Sequence, residues 1–252
     1  MSVEVIGSEM FEQTKPSAIR KILARIEEAV RGKQEQQVVE VCFPDGELEK
    51  LSVREAIHIY YSAEIINRDR LFIKFDGGNK EQVHLDLAFS LRTHNRNWFV
   101  SNNTICVVGG NELRPDVGVW FQWPTYAERS KPLVNSCPPP HLWIEVFYNN
   151  DPDRSNALEK VALIQQYWNK IEYVGIALPV SDNPFRPNPN PGTVTTPATN
   201  NQNTRPYRAP YIIHWDANNN KVYYVADWNL HLVLRCGFTL DFNIILDIIS
   251  RP

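Results

Sequence analysis

The stretch Cys137–Leu178, CPPPHLWIEVFYNNDPDRSNALEKVALIQQYWNKIEYVGIAL, decides the fold. Three consecutive prolines, Pro138 to Pro140, end a loop, and His141 to Tyr148 is rich in β-branched and aromatic residues that suit a buried, pleated ladder. Asn149 to Asp153 is turn chemistry, since Asn and Asp tolerate left-handed angles and Pro152 fixes its own φ. Asp153 or Ser155 stands ready to cap a helix in which Ala157, Leu158, Val161, Ile164 and Trp168 recur at helical spacing. Glu172 to Leu178 reads as the next strand. Two strands joined by a helical crossover form a βαβ unit, so this part of the sheet is expected to be parallel. The fold class that follows is α/β, a mixed central sheet flanked by helices.

Glu145 is out of place in its apolar strand, because burying a carboxylate is costly unless it is paired, hydrogen-bonded or metal-bound. An Arg or backbone donors satisfy most lone carboxylates of this kind. A second one shifts the balance. In Arg114-Pro115-Asp116-Val117-Gly118-Val119-Trp120, Asp116 opens another β-prone run, and Gly118 is expected to leave the space beside it empty. Two carboxylates at the ends of neighbouring strands suit a hard cation such as Mg²⁺, which takes oxygen ligands and usually only one or two from protein. Such a pair, held without metal, repels, so one member is expected to have a raised pKa, and Asp116→Asn to leave stability unchanged or slightly higher. On a helical wheel Lys160 lies at the border of the apolar face beside Ile164 and Tyr167. Asp153 is on the same side, and Lys160 has the reach to meet Glu145 and Asp116. A helix Lys following a Glu is otherwise a solvated surface residue.

These residues resemble the Uma-type restriction endonuclease family of the PD-(D/E)XK nuclease superfamily. The chain has Pro115-Asp116, the Pro138–Pro140 turn, Glu145-Val146, Asp153, Glu159-Lys160 and Glu172-Tyr173 in that family's order. Most of the superfamily carries its lysine two residues after the Glu. Phe147 stands there in this chain, and the resemblance moves the lysine to the following helix, at Lys160. Tyr148, Ile164 and Val174 depart from the family's Ser, Tyr and Trp. The resemblance implies a restriction-endonuclease-like core that hydrolyses phosphodiesters with Mg²⁺ or Mn²⁺, most often in DNA. It implies Asp116, Glu145 and Lys160 as catalytic residues, with Asp116 and Glu145 as metal ligands. The superfamily often adds an acid on an earlier helix, where Glu81 or Asp86 stands, and the family has a His near that helix's start, as His84 is here. Nucleic acid is the implied partner, with a homodimer as the implied assembly. The alternative is a catalytically inactive nuclease-fold module that binds nucleic acid or protein, with Lys160 paired to Glu145 or Asp153.

The rest of the chain sets the frame. Its 252 residues are enough to bury a proper core, and 43% hydrophobic with 22% charged residues is ordinary for a soluble globular protein. No run of 18 or more apolar residues is present, as a membrane-spanning helix requires, and the N-terminus lacks the pattern of a secretory signal. Cys42, Cys106, Cys137 and Cys236 lack metal spacing and read as reduced thiols, which points to an intracellular place, cytoplasmic or nuclear. A formal net charge of −3 gives no general attraction to nucleic acid, so binding there requires a local basic patch.

Residues 1–75 read as an N-terminal extension and 76–252 as the nuclease-like domain. The extension begins with a helix from Ser17 to Arg31, entered at Thr14 and Pro16 and left at Gly32, with Ile19, Ile22 and Ile26 inward. Val38 to Phe43 is a strand, Asp45-Gly46 a tight turn, Ser52 to Ile65 a helix and Leu71 to Phe75 a strand. Glu81 to His94 is a helix with Val83, Leu87 and Leu91 inward. Glu81 reads as a metal ligand or as a solvated first-turn acid, and His84 as a surface or capping histidine or as a ligand. Trp98 to Val100 and Thr104 to Val108 read as one antiparallel hairpin, followed by a turn at Gly109-Gly110-Asn111. Arg129 and Lys131 are either phosphate contacts or solubilising charges. Residues 181–210, dense in Pro, Asn and Thr, read as a flexible insertion, a spacer or a clamp on the nucleic-acid backbone. Tyr211 to Trp215 and Val222 to Ala226 form a hairpin, Leu230 to Leu234 a strand, and Phe242 to Ile249 a closing helix or strand.

Overall fold

A computed structural model describes residues 17–33, 37–44, 46–168, 170–179, 196–197, 211–216, 222–226 and 231–250. The chain opens with α1 (Ser17–Val30), β1 (Gln37–Cys42), α2 (Leu51–Tyr60), β2 (Ala63–Ile66) and β3 (Arg70–Phe75). It continues with α3 (Gly78–His94), β4 (Phe99–Ser101), β5 (Cys106–Val108), β6 (Asn111–Leu113) and β7 (Val117–Trp120). Next come α4 (Tyr126–Ser130), β8 (Leu142–Tyr148), α5 (Asp153–Tyr167) and β9 (Glu172–Leu178). The last elements are β10 (Thr196–Pro197), β11 (Tyr211–Asp216), β12 (Val222–Ala226), β13 (Leu232–Val233), β14 (Thr239–Leu240) and α6 (Phe242–Ser250).

The deciding stretch folds as its pattern requires. β8 and β9 pair in parallel from Leu142↔Glu172 to Tyr148↔Leu178, with α5 as the crossover. They sit inside a sheet of order β10-β12-β11-β9-β8-β7-β4, in which every other pairing is antiparallel, so the sheet is mixed. Strand alternation separates two buried faces. Leu142, Ile144 and Val146 join Val83, Leu87 and Leu91 of α3 and Phe242 and Ile245 of α6 on one side. Trp143 and Phe147 join Ala157, Val161 and Ile164 of α5 on the other. Both faces are buried, which is why β8 reads as an almost continuous apolar run. Each of those aliphatic side chains contributes roughly 1.5–3 kcal/mol when fully buried.

A second sheet, of order β1-β3-β2-β6-β5, is antiparallel throughout and packs its apolar face on α1 and α2. Ile19, Ile22 and Ile26 form the buried stripe of α1. The sheet draws strands from both sides of residue 75, because β5 and β6 complete it through the pairing Ile65↔Glu112. At the turn between β5 and β6, Gly109 has φ +57, and a Cβ there would lie 2.3 Å from the Tyr167 ring of α5. Only glycine lets that turn press against the crossover helix.

Several expectations are corrected. The helix expected over Ser52–Ile65 stops at Tyr60, and Ala63–Ile66 is strand β2, held between β3 and β6. Local helix pattern yields there to the ladder partners on both sides. The hairpin expected over 98–108 does not form: β4 pairs with β7 and β5 with β6, in different sheets. The space beside Gly118 is filled, since a Cβ there would meet the Trp120 ring at 2.7 Å and Pro115 at 2.9 Å. Asp153 turns inward and caps no helix; the residue at the cap position of α5 is Pro152. The chain end is helix α6. Thr14, Pro16 and Asp45 lie outside the described residues. So does the insertion at 181–210 apart from Thr196–Pro197, whose backbone pairs with β12. Arg129 lies over the rings of Phe99 and Trp123, a structural use of its charge. All four cysteines are free thiols, and no helix among the described residues is long and apolar enough to cross a membrane.

Candidate functional site

Asp116 immediately precedes β7, and Val117 pairs with Ile144 of β8, so Asp116 comes level with Glu145 on the neighbouring strand. Asp116 is 1% exposed and Glu145 fully buried. Glu145 lies on the β8 face that carries Trp143 and Phe147, and this is the face α5 covers. From α5, Lys160 extends its ammonium onto Glu145 Oε1, Glu64 Oε1 at 3.0 Å and the Arg114 carbonyl at 3.4 Å. The structure therefore brings Lys160 to Glu145 directly, and to Asp116 by way of Glu145 and a second lysine.

That lysine is Lys74, at the end of β3. Its Nζ lies between the two carboxylates, 3.2 Å from Asp116 Oδ1 and 2.6 Å from Glu145 Oε1. The remaining oxygens also have protein donors. Asp116 Oδ2 accepts the Val146 N–H at 2.7 Å, and Glu145 Oε2 accepts the Trp143 indole N–H at 2.9 Å. Lys80, in the first turn of α3, pairs with Asp76 at 2.6 Å and Asp153 at 3.5 Å. Asp153 also accepts the Tyr148 N–H at 2.8 Å and so ties the end of β8 to the start of α5.

The electrostatics of the carboxylate pair split as repulsion requires. Burial and the Asp116 charge push the Glu145 carboxyl up, against the pull of Lys160 and Lys74. Burial alone would raise Asp116 too, but Lys74, Lys80 and His84 outweigh it and hold the carboxyl well below the usual range. Lys74 loses water on burial, yet Asp116, Glu145, Glu64 and Asp153 raise it well above an ordinary lysine. The expectation that Asp116→Asn is neutral does not survive this geometry. Asp116 is the charged anchor of a backbone N–H and an ammonium; an amide oxygen can accept one of them, but its NH2 then faces the other donor and the charge is lost.

Beside the pair lies a cavity of about 130 Å³ lined by Ser62, Glu64, Lys74, Asp76, Glu81, Asn103, Arg114 and Asp116. Its donors fit a divalent cation. Four of the lining residues are carboxylates, and Glu64 Oε2 is buried without a hydrogen-bond partner. Hard oxygen donors of this kind suit Mg²⁺ or Mn²⁺. Glu81 is on the cavity wall with its side chain 49% exposed. His84, expected at the surface or at a cap, is fully buried. Asp86 takes an amide hydrogen bond from Gln82 on the outside of α3.

Glu64, Lys74, Asp76, Lys80 and Arg114 were not singled out from the sequence. The signal for Lys74 is the one that exposed Glu145: a charge within a strand, Leu71-Phe72-Ile73, that is apolar on both faces. The same signal in Ala63-Glu64-Ile65-Ile66 is hidden when that segment is read as helix. Arg114 has its guanidinium committed to the Ala63 and Asn103 carbonyls, and its own N–H donates to Glu64 Oε1 at 2.9 Å.

Comparison with known proteins is sparse. No protein-family model matches the chain, and no curated protein matches it. Among solved structures, the chain is similar to a "putative nuclease belonging to DUF820" from Anabaena variabilis ATCC 29413. The identity is 9% and the TM-score 0.46, over 74% of this chain and 90% of that one. A likeness so distant carries no argument about activity, and the functional reading stands on the site alone.

Proposed function

We propose that this chain hydrolyses phosphodiester bonds in nucleic acid, DNA first, in a metal-dependent reaction at the cavity beside Asp116. One observation carries the reading. A pair of buried carboxylates on adjacent strands and a fully buried lysine from the crossover helix form one connected network against a polar cavity. Burying such charge destabilises a fold unless it is paired, and buried titratable groups with shifted pKa values beside a cavity mark functional sites.

Asp116, Glu145 and Glu81 are the residues that would hold Mg²⁺ or Mn²⁺. A bound cation supplies Lewis acidity toward the phosphate and lowers the pKa of its water. The chain's own groups do the rest. Lys74, on the cavity wall, offers a positive charge to the non-bridging oxygens of an entering phosphodiester and to the charge that builds on them during attack. Lys160, shielded from solvent, orients Glu145 and adds to the same positive field. Burial and the Asp116 charge push the Glu145 carboxyl up, so its pairing with Lys160 and Lys74 is what keeps it available as a charged ligand.

A second reading is favoured by one observation: all four oxygens of the Asp116–Glu145 pair already have protein donors. In that reading the chain is an inactive nuclease-fold module that binds nucleic acid or protein. A plasmid-nicking assay with Mg²⁺ and with Mn²⁺, run beside Asp116→Ala, separates the two. The hydrolase reading expects cation-dependent nicking that Asp116→Ala abolishes. Absence of cleavage of duplex DNA, single-stranded DNA and RNA by the folded wild-type chain with either cation selects the module.

A further inference from the structure

We infer that the cation seat of this cavity is Asp76, Glu81 and His84, and that it takes a first-row transition dication such as Mn²⁺ in preference to Mg²⁺. The inference refines the proposed hydrolase by moving the ion from the Asp116–Glu145 pair, where Lys74 bonds both carboxylates, to donors on and just before the first turns of α3, of which Asp76 also pairs with Lys80 through Oδ1 at 2.6 Å. One donor atom from each of the three residues lies within 4.8 Å of the others, and no other such group of three exists among the described residues.

An acidic cluster alone would mean little, and His84 supplies the independent observation. Its ring is fully buried, and neither nitrogen has a partner within ordinary hydrogen-bond distance. Nδ1 faces Glu81 Oε2 at 3.6 Å and Nε2 faces Asp116 Oδ2 at 3.5 Å. Both distances are beyond an ordinary N–H···O bond of about 2.7–3.2 Å. The first is the spacing expected of two ligands on one ion. Donors each about 2.1 Å from a cation stand roughly 3.0–3.6 Å apart for ligand angles of about 90–120°. The second is the outer half of a familiar arrangement, in which a metal-bound imidazole turns its other N–H toward a carboxylate that fixes its tautomer. Asp116 is then a positioning residue for His84, and Lys74 is left in place between Asp116 and Glu145.

Charge points the same way. Around the cavity and its network, the six carboxylates Glu64, Asp76, Glu81, Asp116, Glu145 and Asp153 face four basic groups, Lys74, Lys80, Lys160 and Arg114. Carboxylates are in excess there, a surplus of negative charge that favours a cation. An imidazole among the donors shifts preference from Mg²⁺, which favours oxygen alone, toward Mn²⁺ or Zn²⁺.

The test is Mn²⁺ binding to the full chain without nucleic acid, by titration calorimetry and pulsed electron paramagnetic resonance. The expected result is one Mn²⁺ per chain, bound at least 10-fold tighter than Mg²⁺, with ¹⁴N modulation from a coordinated imidazole. Glu81→Gln, whose side chain is half exposed and whose folding is therefore secure, should weaken Mn²⁺ at least 10-fold, whereas Glu145→Gln should change it less than 3-fold. Loss of binding in Glu145→Gln with none in Glu81→Gln overturns the inference and leaves the hydrolase reading standing on the carboxylate pair. Absence of ¹⁴N modulation, equal affinity for Mg²⁺, or no Mn²⁺ binding by the wild-type chain also overturns it. Plasmid nicking is scored separately, so the two readings fail independently.

Discussion

Lys160→Met removes an ammonium group and keeps most of the stem that packs in the core, so it isolates the charge. In the wild-type chain that ammonium serves Glu145, Glu64 and the Arg114 carbonyl. Without it Glu145 keeps Lys74 at 2.6 Å, while Glu64 keeps only the Arg114 N–H at 2.9 Å, its other oxygen being already bare. Removing one partner of a buried ion pair costs about 3–5 kcal/mol, and retention of Lys74 places this case near about 3. For a chain of this size that is a fall in Tm of roughly 6–12 °C. Its pH dependence has a definite sign. Glu145 lies above its ordinary value of 4.5 and rises further without Lys160. A carboxyl with a raised folded-state pKa binds more protons folded than unfolded between those two values, so its penalty is full above the raised value. It shrinks as the pH falls through the raised pKa toward 4.5. Urea denaturation of both proteins at several pH values checks this. A loss below about 1 kcal/mol at neutral pH, or a deficit that does not narrow on acidification, refutes the picture of Lys160 as the buried counter-charge.

Asp116→Asn should lower stability by about 1–3 kcal/mol at neutral pH, measured by urea denaturation. Asp116 has a depressed folded-state pKa, so the wild-type advantage is present above 3.8 and fades as the pH falls below it; parallel curves would contradict the assignment. Gly118→Ala should cost about 1–3 kcal/mol, because the new methyl meets the buried Trp120 ring and Pro115, and tryptophan fluorescence should report the displaced ring. An unchanged melting curve would mean that the ring has room to give. Lys74→Met should slow plasmid nicking about 10²–10³-fold if Lys74 supplies charge to the phosphate, a ratio read from initial rates under saturating Mn²⁺.

How much of this was legible in the sequence varied with how local the cause was. The β8-turn-α5-β9 unit could be read because both of its periods are written in consecutive residues. Lys160 could be placed by a helical wheel because α5 runs unbroken from Asp153 to Tyr167. Asp116 and Glu145 stood out as charges where burial was expected. Glu64 did not, because Ala63–Ile66 follows helix α2 so closely that the segment reads as its continuation; what makes it a strand is β3 and β6, whose Phe72 and Glu112 lie in other parts of the chain. Lys74 as the bridge between the carboxylates was invisible for the same reason, since nothing in Leu71–Phe75 says which charges the strand end will meet. His84 read as a surface or capping residue because a lone histidine carries no periodic signal, and its burial comes with the packing of α3 on β7 and β8.

The weaving of the two sheets has a consequence for how this protein loses its site. Glu64 and Lys74 stand on the sheet packed against α1 and α2, whereas Asp116, Glu145 and Lys160 belong to the other layer. Local opening of the first layer withdraws one acid and the bridging ammonium together, and leaves Asp116 and Glu145 facing each other with less positive charge between them. The site is thus a seam that checks its own assembly: nothing short of both layers closed yields the balanced cluster. On gentle heating, cation affinity and any hydrolysis should vanish while most of the far-ultraviolet circular dichroism persists, because the seam parts before either sheet dissolves.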